Sequence, residues 1–143
     1  MYCRLGTVRL SHTDAAGVIF FPRLLEMAHE GWEDYLDEAG FPLSKGIAGP
    51  GPLFPIVHCE ADYLRPMRLG DTFRHELSVE RVGTSSCTLR HSFRSPAGQE
   101  LARALTVHAA MDRATGASQP LPERVRELLD KLGGPAEAES AGA

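Results

Sequence analysis

One amphipathic helix in a chain otherwise written in alternation is the feature that most restricts what this sequence can fold into. Over 22–39, Leu25, Ala28, Trp32, Tyr35, Leu36 and Ala39 recur at helical spacing, with Glu26, Glu30, Glu33 and Asp37 as an opposite, solvated acidic stripe. Gly40 is placed to end the helix, and Pro42 lies beyond it. At a rise of ~1.5 Å per residue such a helix is about 27 Å long. It is the one long helix in the first two-thirds of the chain, so a sheet is expected to wrap it.

The rest has a period of two. Strands are expected at 3–11, 53–64, 72–82, 86–94 and 99–111. Arg65-Pro66, Leu69-Gly70-Asp71, Gly83-Thr84-Ser85 and Ser95-Pro96-Ala97-Gly98 separate the later ones. The Pro- and Gly-rich stretch 41–52 reads as a loop. Pro120 and Pro122 precede a short helix at 122–132, with Val125, Leu128, Leu129 and Leu132 along one face. Residues 133–143 read as a disordered tail. The expected fold class is α+β: a single domain over 1–132, with a five-stranded antiparallel sheet, one long helix and a short C-terminal helix. One helix cannot cover both faces of such a sheet. The other face, or the sheet edge, is expected to meet a second subunit.

Bulk properties exclude some classes. The chain has 143 residues, enough for one domain with a real core. A net charge of −4 argues against general binding to nucleic acid or an anionic membrane. Three cysteines without CxxC spacing point to reduced thiols in the cytoplasm, and Cys59 and Cys87 fall in apolar strand patterns, as core residues would. No secretory signal is expected, and no apolar run approaches the ~20 residues of a membrane span.

The chemistry-bearing stretch is His12-Thr13-Asp14-Ala15-Ala16-Gly17-Val18-Ile19-Phe20-Phe21-Pro22, which runs directly into the helix. Pro22 suits a first helical position. The amides of Gly17 to Phe21 lie near the positive end of the helix dipole, a place suited to developing negative charge. A carboxylate, Asp14, facing such donors is a candidate site for acyl transfer or hydrolysis; the competing reading is an ordinary loop with a capping Asp. His12 could orient Asp14 or a ligand. His58-Cys59-Glu60, with His75, His91 and His108 on other strands, shows no usual metal spacing. His58 could line a pocket. There is no G-x-S-x-G elbow, no P-loop and no GxGxxG.

Asp14-Ala15-Ala16-Gly17-Val18-Ile19-Phe20-Phe21-Pro22, followed by Leu25-Glu26-Met27-Ala28-His29-Glu30, by Pro55-Ile56-Val57-His58 and by Pro66 with Gly70-Asp71, resembles the hotdog-fold acyl-CoA thioesterases of the 4-hydroxybenzoyl-CoA thioesterase type. Within that group the chain is most similar to the 1,4-dihydroxy-2-naphthoyl-CoA thioesterases, over residues 3–130. The resemblance implies a hotdog fold and hydrolysis of an aromatic acyl-CoA, 1,4-dihydroxy-2-naphthoyl-CoA of menaquinone or phylloquinone synthesis. It implies a homodimer or homotetramer with sites at subunit interfaces. No metal or cofactor is implied, because coenzyme A is part of the substrate, and neither nucleic-acid binding nor membrane insertion is implied. Asp14 would be nucleophile or general base, the Phe21 backbone amide would polarise the thioester carbonyl, and Gly17 would shape the approach. His12, Val18, His29, His58, Arg81, Ser85 and Arg113 are the implied substrate contacts. Members of the benzoyl type often carry basic residues in the turn before the fourth strand, where the nucleotide phosphates dock. Here that turn is Gly83-Thr84-Ser85-Ser86, which leaves Arg81 and Arg113 as the nearest basic candidates. Hydrolysis of short or medium fatty acyl-CoA or acyl-carrier-protein thioesters, and acyl-CoA binding without turnover, are the competing functions.

Overall fold

A computed structural model describes residues 1–135. The elements are β1 (Tyr2–Thr7), a 3-10 turn (Leu10–His12), α1 (Arg23–Glu38), α2 (Leu43–Ala48), β2 (Ile56–Tyr63), β3 (Thr72–Val82), β4 (Ser86–Arg94), β5 (Glu100–Ala109) and α3 (Glu123–Leu132). The strands form one antiparallel sheet in the order β1-β3-β4-β5-β2, which leaves β1 and β2 as its edges.

α1 lies on the inner face. It buries Leu24, Met27, Ala28, Gly31, Trp32, Tyr35 and Leu36, while Glu26, Glu30, Glu33 and Asp37 stay exposed as the spacing predicts. The apolar core is in two parts. One gathers Leu24, Met27 and Ala28 with Phe73, Phe93 and Leu101; the other gathers Trp32, Tyr35 and Leu36 with Leu77, Leu89 and the α3 residues Val125, Leu128, Leu129 and Leu132. The Tyr35 hydroxyl donates to the Leu128 carbonyl and ties α1 to α3. A buried polar row separates the two parts. On β3, His75 sits between Phe73 and Leu77; on β4, His91 sits between Leu89 and Phe93.

Several expectations need correction. The stretch 41–52, expected as a loop, contains α2. Its Pro and Gly density hides a short helix whose terminal carbonyls are satisfied from outside: Arg113 donates through Nη1 to Ile47 O (2.7 Å), through Nη2 to Gly46 O (3.0 Å) and through Nε to Gly51 O (3.2 Å). The first strand, expected to reach residue 11, stops at Thr7, and the chain turns through Leu10–His12. Cys87 is buried as expected, but Cys59 is exposed, because β2 is an edge strand with only Ala61 partly covered. Of the tail expected at 133–143, residues from 136 onward lie outside the described residues. Gly133 is tied to the sheet, its carbonyl accepting from the Val79 amide at 2.8 Å.

Gly31 sets how closely α1 meets the sheet. A Cβ there would stand 2.2 Å from His75 Cε1 and 2.4 Å from His75 Nδ1. Neither neighbour can yield, since His75 is 1% exposed and hydrogen-bonded at both ring nitrogens. Gly31→Ala should therefore destabilise the fold by about 1–3 kcal/mol through overpacking, although Ala favours helix by roughly 1 kcal/mol. Urea unfolding of the variant checks this; a gain in stability would contradict it.

Candidate active site

The loop before α1 is built by its own backbone. The Asp14 amide donates to Val18 O (2.9 Å) and the Gly17 amide to Asp14 O (3.1 Å), so residues 14–18 close a tight turn flanked by a bridge between Thr13 and Ile19. Gly17 adopts φ +75°, the left-handed region that favours glycine. Its carbonyl accepts from Leu69 at 3.0 Å, and the Ile19 amide donates to Met67 O at 2.8 Å, which anchors the turn to the segment between β2 and β3. Val18 bridges to Arg68 on the same segment.

Asp14 is exposed, and its Oδ1 accepts from the Ala16 amide at 2.8 Å. This Asx turn fixes one carboxylate oxygen. Among the described residues no hydrogen bond engages the other, which is left available for chemistry. His12 closes the far side. Its Nδ1 accepts from the Arg9 amide (2.9 Å), and its carbonyl accepts from the Phe20 amide (2.8 Å). The chain then enters α1. The Phe21 amide, at the positive end of the helix, has no acceptor among the described residues. The Phe21 carbonyl accepts from the Tyr63 hydroxyl, a long-range contact from the end of β2 that carries no local sequence signal.

The structure thus brings His12, Asp14, Gly17, Val18 and Phe21 into one loop at the helix start. The other residues lie elsewhere. His29 stands on α1 and, with Glu33, lines a cleft of about 320 Å³ together with Phe41, Leu43, Phe54 and Pro55. His58 is on the exposed edge strand, with Nε2 at 3.7 Å from Glu60 Oε1. Arg81 and Ser85 sit on the β3–β4 hairpin, where the Ser85 carbonyl accepts from Ala110. Arg113 holds the end of α2, as described above. Burial pushes the Cys87 thiol up to about 11, so it is no thiolate nucleophile at neutral pH. No group of three or more His, Cys, Asp or Glu side chains among the described residues is arranged to hold a metal ion. No helix among them is long and apolar enough to cross a membrane.

The sequence profile of the thioesterase-like superfamily matches residues 8–129. The chain belongs to this superfamily. A 1,4-dihydroxy-2-naphthoyl-CoA hydrolase of Prochlorococcus marinus (strain MIT 9303) is 38% identical over 133 residues, covering 88% of this chain and 87% of the relative. One from Nostoc punctiforme is 33% identical over 124 residues, covering 87% and 83%. The crystal structure of a 1,4-dihydroxy-2-naphthoyl-CoA thioesterase from Synechocystis superposes with a TM-score of 0.86 at 27% identity, covering 94% of this chain and 98% of that one. The hotdog fold expected from the sequence is therefore the fold of this thioesterase-like chain.

Behind the cleft lies the polar row that the sequence reading missed. Arg4 Nε donates to His75 Nδ1 (3.2 Å), His75 Nε2 meets His91 Nδ1 (2.9 Å), His91 Nε2 meets Thr106 Oγ1 (3.0 Å), and Thr106 Oγ1 meets His108 Nε2 (2.9 Å). The signal was present as inward-facing histidines on three strands that are neighbours in the sheet, each set among apolar residues. All three are held neutral. Burial, then the neighbouring His91 and Arg4, puts His75 well below its ordinary value. Burial, then His108, His29 and Arg4, takes His91 down to about 3. Burial, then His29, takes His108 down to about 4.

A histidine whose folded value is depressed binds fewer protons folded than unfolded, so its contribution to stability is full above about pH 6.5 and is lost as the pH falls toward the folded value. Each such group is worth about 1.4 kcal/mol per pH unit in that window. With three groups, unfolding free energy between pH 6.5 and 5 should fall more steeply than a single proton allows. Urea melts at half-unit pH steps check this, and a flat profile in that range would contradict it.

Proposed function

We propose that this protein hydrolyses 1,4-dihydroxy-2-naphthoyl-CoA, with Asp14 as the catalytic carboxylate and the Phe21 amide as the oxyanion donor. It is a thioester hydrolase. The observation that carries the assignment of roles is the loop 12–21, where one Asp14 oxygen and the Phe21 amide at the helix start have no hydrogen-bond partner among the described residues. The substrate is supported by the relatives, whose reaction is the one named here.

The chemistry asks little more. The thiolate of coenzyme A is a good leaving group, since thiols ionise near ~8.5, so no strong general acid is needed. The carbonyl oxygen accepts from Phe21 N–H as it gains charge, and one such donor is worth roughly 3–4 kcal/mol in the transition state. Asp14 then attacks the carbonyl carbon or takes a proton from the water that does. Gly17 keeps the turn tight and Val18 flanks it. The exposed Arg81 and the neighbouring Ser85 are the groups we assign to the nucleotide end. Arg113 acts through α2, whose end it holds against the cleft. The free cysteines Cys3, Cys59 and Cys87 fit a reducing cytoplasm.

The working form is a dimer or a pair of dimers. β2 is an edge strand exposed on both faces, with Val57 61% exposed, and Phe21 beside it is 65% exposed. An open edge with apolar side chains is a template for strand pairing. A second copy on β2 would cover Tyr63 and enclose the Phe21 turn that Tyr63 holds.

Asp14→Ala should lower kcat by about 10³-fold or more while the circular dichroism and oligomeric mass stay those of the wild type. Full activity in that variant would overturn the assignment. Val57→Glu places a charge on the β2 edge and should yield monomers by light scattering, with hydrolysis lost in parallel.

A further inference from the structure

The open edge of β2 carries an ordered set of groups. The Leu64 amide donates to the Leu101 carbonyl at 2.9 Å, and along β5 Glu60 pairs with Leu105 and Asp62 with Arg103. By the alternation of an antiparallel ladder, Glu60 and Asp62 bond to β5, while Cys59, Ala61 and Tyr63 turn their amides and carbonyls to the free side. The side chains alternate as well. Cys59 and Ala61 share the inner face with the buried Thr106 and Ala104, whereas Glu60 and Asp62 stand on the outer face with Leu105 and the exposed Arg103, and His58 stands there with Val107. Val57 falls in a bulge, so regular pairing starts at His58.

A second copy that extends the sheet on this edge is restricted in register. Two identical antiparallel strands are related by a two-fold axis, and directly opposed residues lie on the same face of the sheet. The axis must therefore pass beside a residue of β2, not between two. An axis at Cys59 or at Glu60 keeps most of Ile56–Tyr63 paired, and an axis farther toward either end leaves more of the strand bare. Charge separates these two. With the axis at Glu60, that carboxylate is opposed to its own copy, and like charges so placed are destabilising. His58 would then face the partner's Asp62, which Arg103 of the same chain already holds at 3.2 Å. With the axis at Cys59, His58 of each copy stands opposite Glu60 of the other, and no carboxylate opposes another. Both side chains are free to make that contact: they are 61% and 63% exposed, and within one chain His58 Nε2 lies 3.7 Å from Glu60 Oε1.

We propose that two copies pair through β2 with the two-fold axis at Cys59, so that Cys59 meets the partner's Cys59 and His58 meets the partner's Glu60. This rests on the reading of the working form as a dimer joined at β2 and adds its register. The register gives each helix-start turn a fixed neighbour. Tyr63, which holds the Phe21 carbonyl, is about 13 Å from the axis by strand rise. At the same distance along the adjacent strand stand the partner's Phe54 and Pro55, which line the cleft of that copy.

Cys59 reports the register. Directly opposed residues have Cα atoms about 4.5–5.5 Å apart, within the span of about 4.4–6.8 Å that a disulfide bridges. With the axis at Glu60 the two Cys59 residues are diagonal neighbours, about 7–8 Å apart and beyond that span. The test is copper–phenanthroline oxidation of Cys3→Ser, in which Cys59 is the exposed thiol that remains and Cys87 is buried. It should give a disulfide-linked dimer on a non-reducing gel. The S–S bond forms as both thiols lose a proton, and the two electrons pass through copper to dioxygen. Adding Cys59→Ser should abolish the band. Protein that sediments as a dimer yet forms no bridge overturns the register and leaves the dimer standing. Protein that sediments as a monomer before oxidation overturns both. A second measurement does not use the thiol. His58→Glu should weaken dimerisation in sedimentation equilibrium by about 10-fold, because it opposes two carboxylates on each side of the axis. His58→Glu/Glu60→His should restore it, since the exchanged pair is complementary again. With the axis at Glu60 the exchange would leave a carboxylate opposite the partner's Asp62, so a double variant that fails to recover the dimer overturns the proposal.

Discussion

A five-stranded sheet has a wide inner face, and this chain has one long helix to lay across it. Everything else follows from how closely that helix can approach. Gly31 removes the side chain at the point where α1 crosses His75, and the sheet comes up against the helix backbone. Larger groups on either side, Met27 and Leu24 toward one end, Trp32 and Leu36 toward the other, fill the space that the crossing leaves open. The two halves of the core are consequences of that contact, as is the polar row between them. Burying three imidazoles is tolerable because each is neutral and each finds a partner. The exception is the last nitrogen of the row.

The same economy of helices explains the exposed edge. α3 covers the β3 end of the inner face, and α2 closes the cleft near Phe54, but among the described residues β2 is left exposed apart from Ala61. The loop before α1 packs on the segment after β2, and Tyr63 at the end of β2 holds the Phe21 carbonyl. The helix-start amide and the open edge are therefore mechanically one unit. A partner seated on β2 would set the geometry of the Phe21 turn as well as shield it. That is a physical reason for a site of this design to belong to an assembly.

Much of this was legible in the sequence, unevenly. Period and punctuation located α1, α3 and the β3–β4–β5 meander, because those elements bury one face and obey the pattern. The loop 12–21 stood out because Asp14, Gly17 and Pro22 each carry a local conformational preference. What failed to show were features made by distant partners. α2 owes its C-terminal end to Arg113, more than sixty residues away in the chain, so its own Pro and Gly content reads as loop. Cys59 looked like core because alternation says which face a residue occupies, not whether anything covers that face. The histidines were visible one at a time. Only the strand order β3-β4-β5 aligns them, and only the hydrogen bond from Arg4 gives the row a direction.

That direction has a consequence for what the row can do. Arg4 is paired with Asp34 at 3.1 Å and Glu30 at 3.6 Å at the surface, so its charge is compensated outside the core. Its remaining influence inward lowers the tendency of His75 and His91 to take a proton, as does burial itself. A row so disposed does not store or ferry charge: an added proton would meet a low-dielectric interior with a guanidinium at one end. It transmits orientation instead. Because a guanidinium can only donate, Arg4 at the surface sets the order of donors and acceptors through His75, His91 and Thr106 to His108. Ordered from Arg4, the row runs in one direction only.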